Sequence, residues 1–494
     1  MTRSSGKSWF SFILSVALTV ALILVVSSFA QAQSRTRSVP FSYLPDQTED
    51  QYNQRIKQKT LPVGTAGFII LSKKAAGIYA VEFYSNELKK IWEAALPLSA
   101  TEEVEAFARN TENALVLIHR KNQETATQGL IGYAIDLKTG KKSEIKKLAE
   151  APLKSRRLGA AFSEDGTKLV TYNYLQQQSG LKAIQATIFD GSLNKVQERT
   201  YSFQDLAGIQ SANVKIDNAG HQYVALINNN ATRLSVRRYN QAGPEIKGMD
   251  IQVGGVFEGK KVYVLDTFFA LQQDSSMFAA ATVADEKTGD FYSLKVIKFD
   301  FGSGDMKYAP EFRFTPQYIA DINKLNKTGS PAVKRLSDIY LSEIVVSPDK
   351  NVLVMAEKKY NEGPKLPFAA REIHLFSYDE FLNPTWHSIL NKSQIAPASE
   401  GFTGISYKAN LAGNELQLIT LETLNGKTDL FSRKINMKDG TTAAPQPLKL
   451  NVSTNQPLAY LKDFTAWLNE NTLVAVFKPS RKSKALQLSK IIIK

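Results

Sequence analysis

Four histidines, His119, His221, His374 and His387, are the first residues to weigh for chemistry. None stands within metal-ligand spacing of another, and even His374 and His387 are too far apart for a local motif, so all four read as strand or turn residues. The chain has no cysteine, which excludes a thiolate zinc site, a Cys nucleophile, a disulfide scaffold and the cysteine-linked lipid anchor of bacterial lipoproteins. No Gly-x-Ser-x-Gly elbow, His-Glu-x-x-His pair or phosphate loop occurs. Asp285-Glu286-Lys287-Thr288-Gly289-Asp290 is acidic enough to suggest a calcium loop, but its ligand alternation is wrong, and it reads as a solvated hairpin tip. No catalytic residue, metal site or cofactor is expected from these residues.

Basic residues are the next candidates. The net charge is +14; Arg3 and Lys7 lie in the amino-terminal segment, which has no acid, so about +12 remains beyond it. Such a balance suits nucleic acid, an anionic polysaccharide or a membrane surface. The lysines are dispersed, however, so a lysine-rich soluble surface is the plainer reading and nucleic acid is not expected. Lys154-Ser155-Arg156-Arg157 and Lys478-Pro479-Ser480-Arg481-Lys482-Ser483-Lys484 are the densest clusters, and both fall between strands as exposed loops.

The elements that must position any site begin with an export signal. Arg3 and Lys7 precede an apolar and Ser/Thr run over residues 10–29, and Ala30-Gln31-Ala32 follows as a small-x-small cleavage pattern. Residues 1–32 read as a signal peptide, with an uncleaved membrane anchor as the alternative. Both place the rest of the chain outside the cytoplasm, secreted or in the periplasm or cell envelope. Residues 33–65 read as a polar lead-in arm, with a short helix opening at Asp46 and running to about Lys57.

From residue 66 to the end the chain is a succession of short strands and turns. Ala161-Phe162-Ser163-Glu164-Asp165-Gly166-Thr167-Lys168-Leu169-Val170 is strand, tight turn, strand. Echoes of that turn stand at Asn110–Asn113, Asp217–Gly220, Asp274–Ser276, Ser347–Lys350, Asn410–Asn414 and Asn469–Asn471, each followed by an apolar strand. Asp, Asn and Gly serve there because the turns need positive φ or a capping side chain. A second series, including Ile135-Asp136-Leu137, Phe189-Asp190-Gly191 and Tyr378-Asp379-Glu380, runs in phase with the first. Four antiparallel strands in about 50 residues is the size of one propeller blade. The expected fold is an all-β propeller of seven four-stranded blades, its two chain ends sharing one blade to remove the open edge. Eight blades is the alternative, because the amino-terminal part supplies three strands where closure needs one.

Phe162-Ser163-Glu164-Asp165-Gly166-Thr167-Lys168-Leu169 and Val346-Ser347-Pro348-Asp349-Lys350 resemble the inner hairpin of the WD40-like propellers of secreted bacterial proteins. Ala134-Ile135-Asp136-Leu137-Lys138-Thr139-Gly140-Lys141 resembles the outer turn of the quinoprotein-like set. There a Trp usually ends the pattern; here Ser143-Glu144-Ile145 follows, and only Trp92 and, less well, Trp386 match. The resemblance implies the fold and transfers no activity.

Loop lengths point to a binding face. The second-to-third-strand loops near 121–129, 176–180, 284–290 and 360–368 are long, and a blade-to-blade insertion over 315–336 includes a short helix at 318–325. All emerge on one face, while the other face has tight turns. Tyr174, Tyr360 and Phe368 are the expected aromatic anchors there, with Arg120 and Lys359 as basic contacts. The functional expectation is a monomeric binding scaffold for a protein or glycan partner. The alternative is a propeller enzyme of lyase, hydrolase or quinoprotein type, with polar residues gathered at the mouth of the central channel.

Overall fold

The computed structural model describes residues 36–45, 56–177, 180–325, 332–452, 457–479 and 485–493. Among them eight antiparallel sheets follow one another, each with its strands in chain order from the inside outward. They are blades 1 (60–97), 2 (102–152), 3 (159–202), 4 (211–252), 5 (255–313), 6 (339–396), 7 (407–447) and 8 (460–492). Blade 8 takes its outer strand from the other end of the chain: Thr36–Phe41 pairs with Leu486–Ile492, Thr36 opposite Ile491 and Phe41 opposite Leu486. The ring therefore closes by sharing a blade between the chain ends, as expected.

The blade number is eight, which corrects the first expectation of seven. The seven turns read from the sequence are all inner turns, in blades 2 to 8. The inner strand of blade 1, Thr60–Val63, is only four residues long, contains Pro62 and turns through Gly64-Thr65-Ala66 without Asp or Asn. It sits in the span read as a lead-in arm, and so does Thr36–Phe41; that span supplies two blade strands. The signal segment 1–32 and most of the helix expected from Asp46 lie outside the described residues.

Blades pack face to face, so both faces of each sheet are buried and the second strands are almost wholly apolar, as in Val352–Ala356 and Leu473–Phe477. Each core layer joins two neighbours. Tyr201, Ile184 and Ile188 of blade 3 meet Val214, Val224 and Tyr239 of blade 4. Phe464 and Val476 of blade 8 meet Phe68, Ile70 and Tyr84 of blade 1. Burying each such side chain contributes roughly 1.5–3 kcal/mol.

Turns lock the blades as well. Asp165 caps its own hairpin by accepting from Thr167 N at 2.9 Å and from Ser163 Oγ at 2.7 Å. Gly166 has φ +69°, and a Cβ there would stand 2.1 Å from the carbonyl oxygen of Arg109 in blade 2. Asn110 Nδ2 donates to Gly191 O at 2.8 Å across the same boundary. Farther out, Trp92 of blade 1 lies on Gly140 in the outer turn of blade 2 and donates Nε1 to Leu137 O at 3.0 Å. Trp386 of blade 6 repeats this on Gly440 of blade 7, donating to Met437 O at 3.0 Å. The Trp and the Gly-containing outer turn, separate signals in the sequence, are two halves of one contact between neighbours.

The one helix among the described residues is Pro316–Leu325, two residues longer at its start than expected. Pro316 suits the first helical position, and Thr315 Oγ1 accepts from Tyr318 N at 3.3 Å. Tyr318 and Ile322 bury against blades 5 and 6.

Candidate functional site

The structure gathers three of the five expected site residues and leaves two elsewhere on the ring. Arg120, on blade 2, is exposed and pairs with Glu102 at 2.6 Å. Tyr174, on blade 3, has the Arg156 guanidinium 4.0 Å from its ring centroid, and its hydroxyl donates to Ala212 O at 3.3 Å. Lys359, Tyr360 and Phe368 lie together on blade 6. Lys359 Nζ is 3.7 Å from Glu357 Oε2 and 5.6 Å from the Phe402 ring. Phe368 departs from the expectation: it is 3% exposed and packs edge-on to Phe402 at 5.0 Å, so it supports the base of its loop and presents no ring to a partner. The pairing is the physical reason: Tyr360 stands opposite Ala369 and Asn361 opposite Phe368, so alternation points the Phe368 ring to the other face of the sheet from Tyr360.

Tyr360 opens into a cleft of about 990 Å3 between blades 6 and 7. The cleft is built from the ends of the second strands and the starts of the third, Val352–Asn361 and Phe368–Tyr378 in blade 6 and Glu415–Leu424 and Lys427–Asn436 in blade 7. It therefore lies on the face where the second-to-third-strand connections emerge. Five cations, Lys358, Arg371, Lys392, Lys427 and Arg433, line it with two acids, Glu372 and Glu422. Arg433 is spent on Glu422, with its Nη2 2.7 and 2.8 Å from the two carboxylate oxygens. Arg371 donates to Ser393 Oγ and, at 3.4 Å, to Tyr360 Oη. Among the described residues the Lys358 side chain has only the Tyr360 ring, 5.9 Å away, and the Lys427 side chain has no ion pair or hydrogen bond.

A buried network forms the floor. Lys392 Nζ is 2.8 Å from Glu357 Oε1 and 2.8 Å from Gln394 Oε1, and Ser406 Oγ donates to Glu357 Oε2 at 2.5 Å. Gln394 Nε2 carries the network into blade 7 through Leu421 O at 2.9 Å. Burial opposes charge on Glu357, but the Lys392 and Lys359 ammonium groups and the Ser406 hydroxyl outweigh it and hold the carboxyl below its ordinary range.

A second set of charges occupies the central channel, which the inner strands line. Lys215 of blade 4, Asp266 of blade 5, Glu343 of blade 6, Lys408 of blade 7 and Lys462 of blade 8 all stand on inner strands, and Lys57 precedes that of blade 1. They feel one another across blades. Burial pushes Glu343 up to about 7, against the pull of Lys408, Lys57 and Lys462. Burial brings Lys462 down to about 8, with Lys408 and Lys359 adding to the shift. Both side chains are only partly exposed and protein surrounds them, which is why they shift this far. Lys408 is anchored, donating to Lys57 O at 2.8 Å and Gln58 Oε1 at 2.6 Å. Ser342 and Tyr407 hydroxyls meet at 2.5 Å beside Glu343. The sequence holds a partial signal for this set: the inner strands of blades 4, 6 and 7 each carry a single charged residue, Lys215, Glu343 and Lys408.

Histidines take structural places. His119 Nε2 meets Gln128 Oε1 at 3.0 Å in the core of blade 2. His374 is buried beside the helix, its Nδ1 2.7 Å from Tyr318 Oη. Burial raises the Tyr318 pKa, so the phenol keeps its proton and donates it. Burial also lowers His374 to about 3, with Lys358 adding to it, so the folded ring is neutral. An imidazole depressed in the fold stabilises fully above its unfolded pKa of about 6.5 and loses that contribution as pH falls toward the folded value. The stability gap between the native chain and His374→Gln is therefore expected to narrow by about 1.4 kcal/mol per unit as pH falls from 6 to 4, measured by urea unfolding. A gap constant over that range would mean that the folded ring carries charge. Asp285 Oδ1 accepts from the Lys287 and Thr288 amides at 2.9 and 3.1 Å, which makes residues 285–290 a self-capped hairpin tip.

No protein-family model matches the chain, and no curated protein matches it. Among solved structures it is similar to the β-propeller domain of the Trilobed protease from Pyrococcus furiosus, at 13% identity over 81% of this chain and 97% of that one, with a TM-score of 0.37. It is similar to the Nup133 β-propeller domain of Vanderwaltozyma polyspora, at 9% identity over 79% of this chain and 99% of that one, TM-score 0.40. A post-proline cleaving enzyme from Rickettsia typhi matches at 7% identity over 88% of this chain and 59% of that one, TM-score 0.40. Likeness at this level carries no argument about activity or partner; the propeller rests on the strand pairing described above.

Proposed function

We propose that the protein is an exported binding propeller that takes an anionic protein or glycan partner in the cleft between blades 6 and 7. The observation that supports this reading is the pairing pattern in the cleft. Glu422 of the lining and Glu357 of the floor are neutralised by Arg433 and Lys392, which leaves Lys358, Lys427 and the outer edge of Arg371 around one aromatic ring, with Glu372 as the one other acid of the lining. Cations beside an aromatic face at the edge of a concave surface suit carboxylate-bearing chains. Export rests on residues 1–32, and fractionation of the native cells with an antibody to residues 60–490 tests it: protein retained in the cytoplasm would refute it.

Polyglutamate and a polyuronate, compared with a neutral glucan, test the cleft. One of the two anionic chains is expected to bind with an affinity that falls as salt rises, and Lys358→Glu with Lys427→Glu is expected to weaken it by at least about tenfold. Binding no better than that of the glucan, or binding indifferent to the double substitution, overturns the assignment. The convergent channel groups favour a second reading, an enzyme with its site at the channel mouth. Turnover of any substrate that is lost in Glu343→Gln and kept in the cleft variant would select it.

A further inference from the structure

Glu372 is the acid of the cleft that has no partner. It is 7% exposed and lines the cleft, and among the described residues its carboxylate makes no hydrogen bond or ion pair. Its chain neighbour Arg371 is turned to Ser393 and Tyr360, and Lys358, on the adjoining strand, has only the Tyr360 ring. An enclosed carboxylate without a partner is costly, and native proteins pair or hydrate such groups unless a ligand supplies the contact.

The strands are shaped around this position. Glu357 pairs with Ile373 and Lys359 with Ala370, so on that edge Lys358 alone faces both Arg371 and Glu372. On the other edge Ile373 pairs with Leu390 and Ala370 with Gln394, so Asn391, Lys392 and Ser393 together span the same pair. The ladder of blade 6 is thus broken on both sides of Arg371-Glu372, and every residue of the break lines the cleft. Bulges of this kind re-aim side chains and gather at functional sites.

The arrangement of charge selects the ligand. Glu422, the other acid of the lining, is held by Arg433, while Lys358 and Lys427 are not held by any acid. A purely anionic chain would bring like charge up to Glu372, and a neutral chain would leave the two lysines unmatched. Leu325, Val333, Ile389 and Pro445 add an apolar wall, which suits the side chains of a peptide better than the hydroxyls of a sugar chain. Resting on the reading of the cleft as the binding site, we propose that its partner is an acidic peptide that also presents a primary ammonium group, with the ammonium on Glu372 and carboxylates on Lys358 and Lys427. The ammonium comes from the amino terminus of the peptide or from a lysine side chain; both offer Glu372 the same charge-assisted hydrogen bonds.

Fluorescence anisotropy with the full chain and three tetrapeptides, each carrying a dye at its carboxyl end, tests this. The peptides are Ala-Glu-Glu-Glu with a free amino terminus, the same peptide acetylated, and acetyl-Lys-Glu-Glu-Glu. At least one amine-bearing peptide is expected to bind at least about tenfold more tightly than acetyl-Ala-Glu-Glu-Glu, and the one that does so identifies the source of the ammonium. Glu372→Gln keeps the shape and loses no contact within the chain. It is expected to abolish the preference without weakening the acetylated Ala peptide, whereas Lys358→Glu with Lys427→Glu weakens all three. Equal binding with and without an amine, or a preference that survives Glu372→Gln, overturns the proposal and leaves the cleft as a site for anions alone. Binding of a polyuronate but of none of the peptides overturns it in favour of a glycan. Failure of every peptide and of both polyanions removes the reading of the cleft itself, and this proposal with it.

Discussion

Lys392→Met is expected to lower stability by about 3–5 kcal/mol, the cost of leaving one member of a buried ion pair alone. Glu357 is fully buried, and Lys392 is its nearest cation, at 2.8 Å. Lys359 stands farther off at 3.7 Å and is itself partly in solvent, so it replaces little of the loss. Ser406 still donates one bond, but a hydroxyl does not neutralise the charge. The carboxylate must then protonate or the joint between blades 6 and 7 must open. Urea unfolding at pH 7.5 measures the loss. Adding Glu357→Gln to Lys392→Met is expected to recover most of it, because the double variant buries no charge. A single variant within about 1 kcal/mol of the native chain would show that water, not Lys392, stabilises Glu357. The same variant tests the cleft indirectly, since this network is its floor.

Gly166→Ala is expected to cost roughly 2–5 kcal/mol, from a left-handed backbone that disfavours any Cβ and from overpacking against a neighbour. The neighbour is the carbonyl of Arg109, a backbone atom that no rotamer change can move away. Gly413 offers the control. It occupies the equivalent turn of blade 7 with φ +57°, and nothing lies within 4 Å of its added Cβ. Gly413→Ala is expected to lose only the backbone part, about 1–2 kcal/mol. Equal losses at the two positions would remove the contact with blade 2 from the explanation. The comparison separates a turn that merely needs a glycine from one that also joins two blades.

The repeat was legible because a propeller states its turns locally. Asp165-Gly166 and its echoes each satisfy a short-range need for positive φ or a side-chain cap, so the residues appear wherever the chain turns. The helix was expected at 318–325; its start at Pro316 was missed, although Thr315 and Pro316 mark it by local chemistry. Blade 1 was hidden because its inner strand is short, contains Pro62 and turns without Asp or Asn. Its membership of the ring is decided by pairing with Gly67–Ala75, not by its own pattern.

Sites followed the same division. Tyr360 was legible as an aromatic residue at the foot of a long loop, and it does open on a cleft. Phe368, equally aromatic and equally close to that loop, turns inward, because its side chain points to the opposite face of the sheet. Lys358, Arg371 and Lys427 look like ordinary surface cations in the sequence; their separation along the chain conceals that they face one cavity. The sequence by itself determined the class of fold and the chain-end closure, since both are written in local turn chemistry and strand length; the loops expected at 121–129 and 176–180 are largely taken up by the ends of the strands Asn113–Asn122, Thr127–Asp136, Lys168–Gln177 and Gly180–Asp190. Only the tertiary structure decided the eighth blade and the cleft. Those depend on which residues of successive blades the closed ring brings opposite one another, and no local pattern records that.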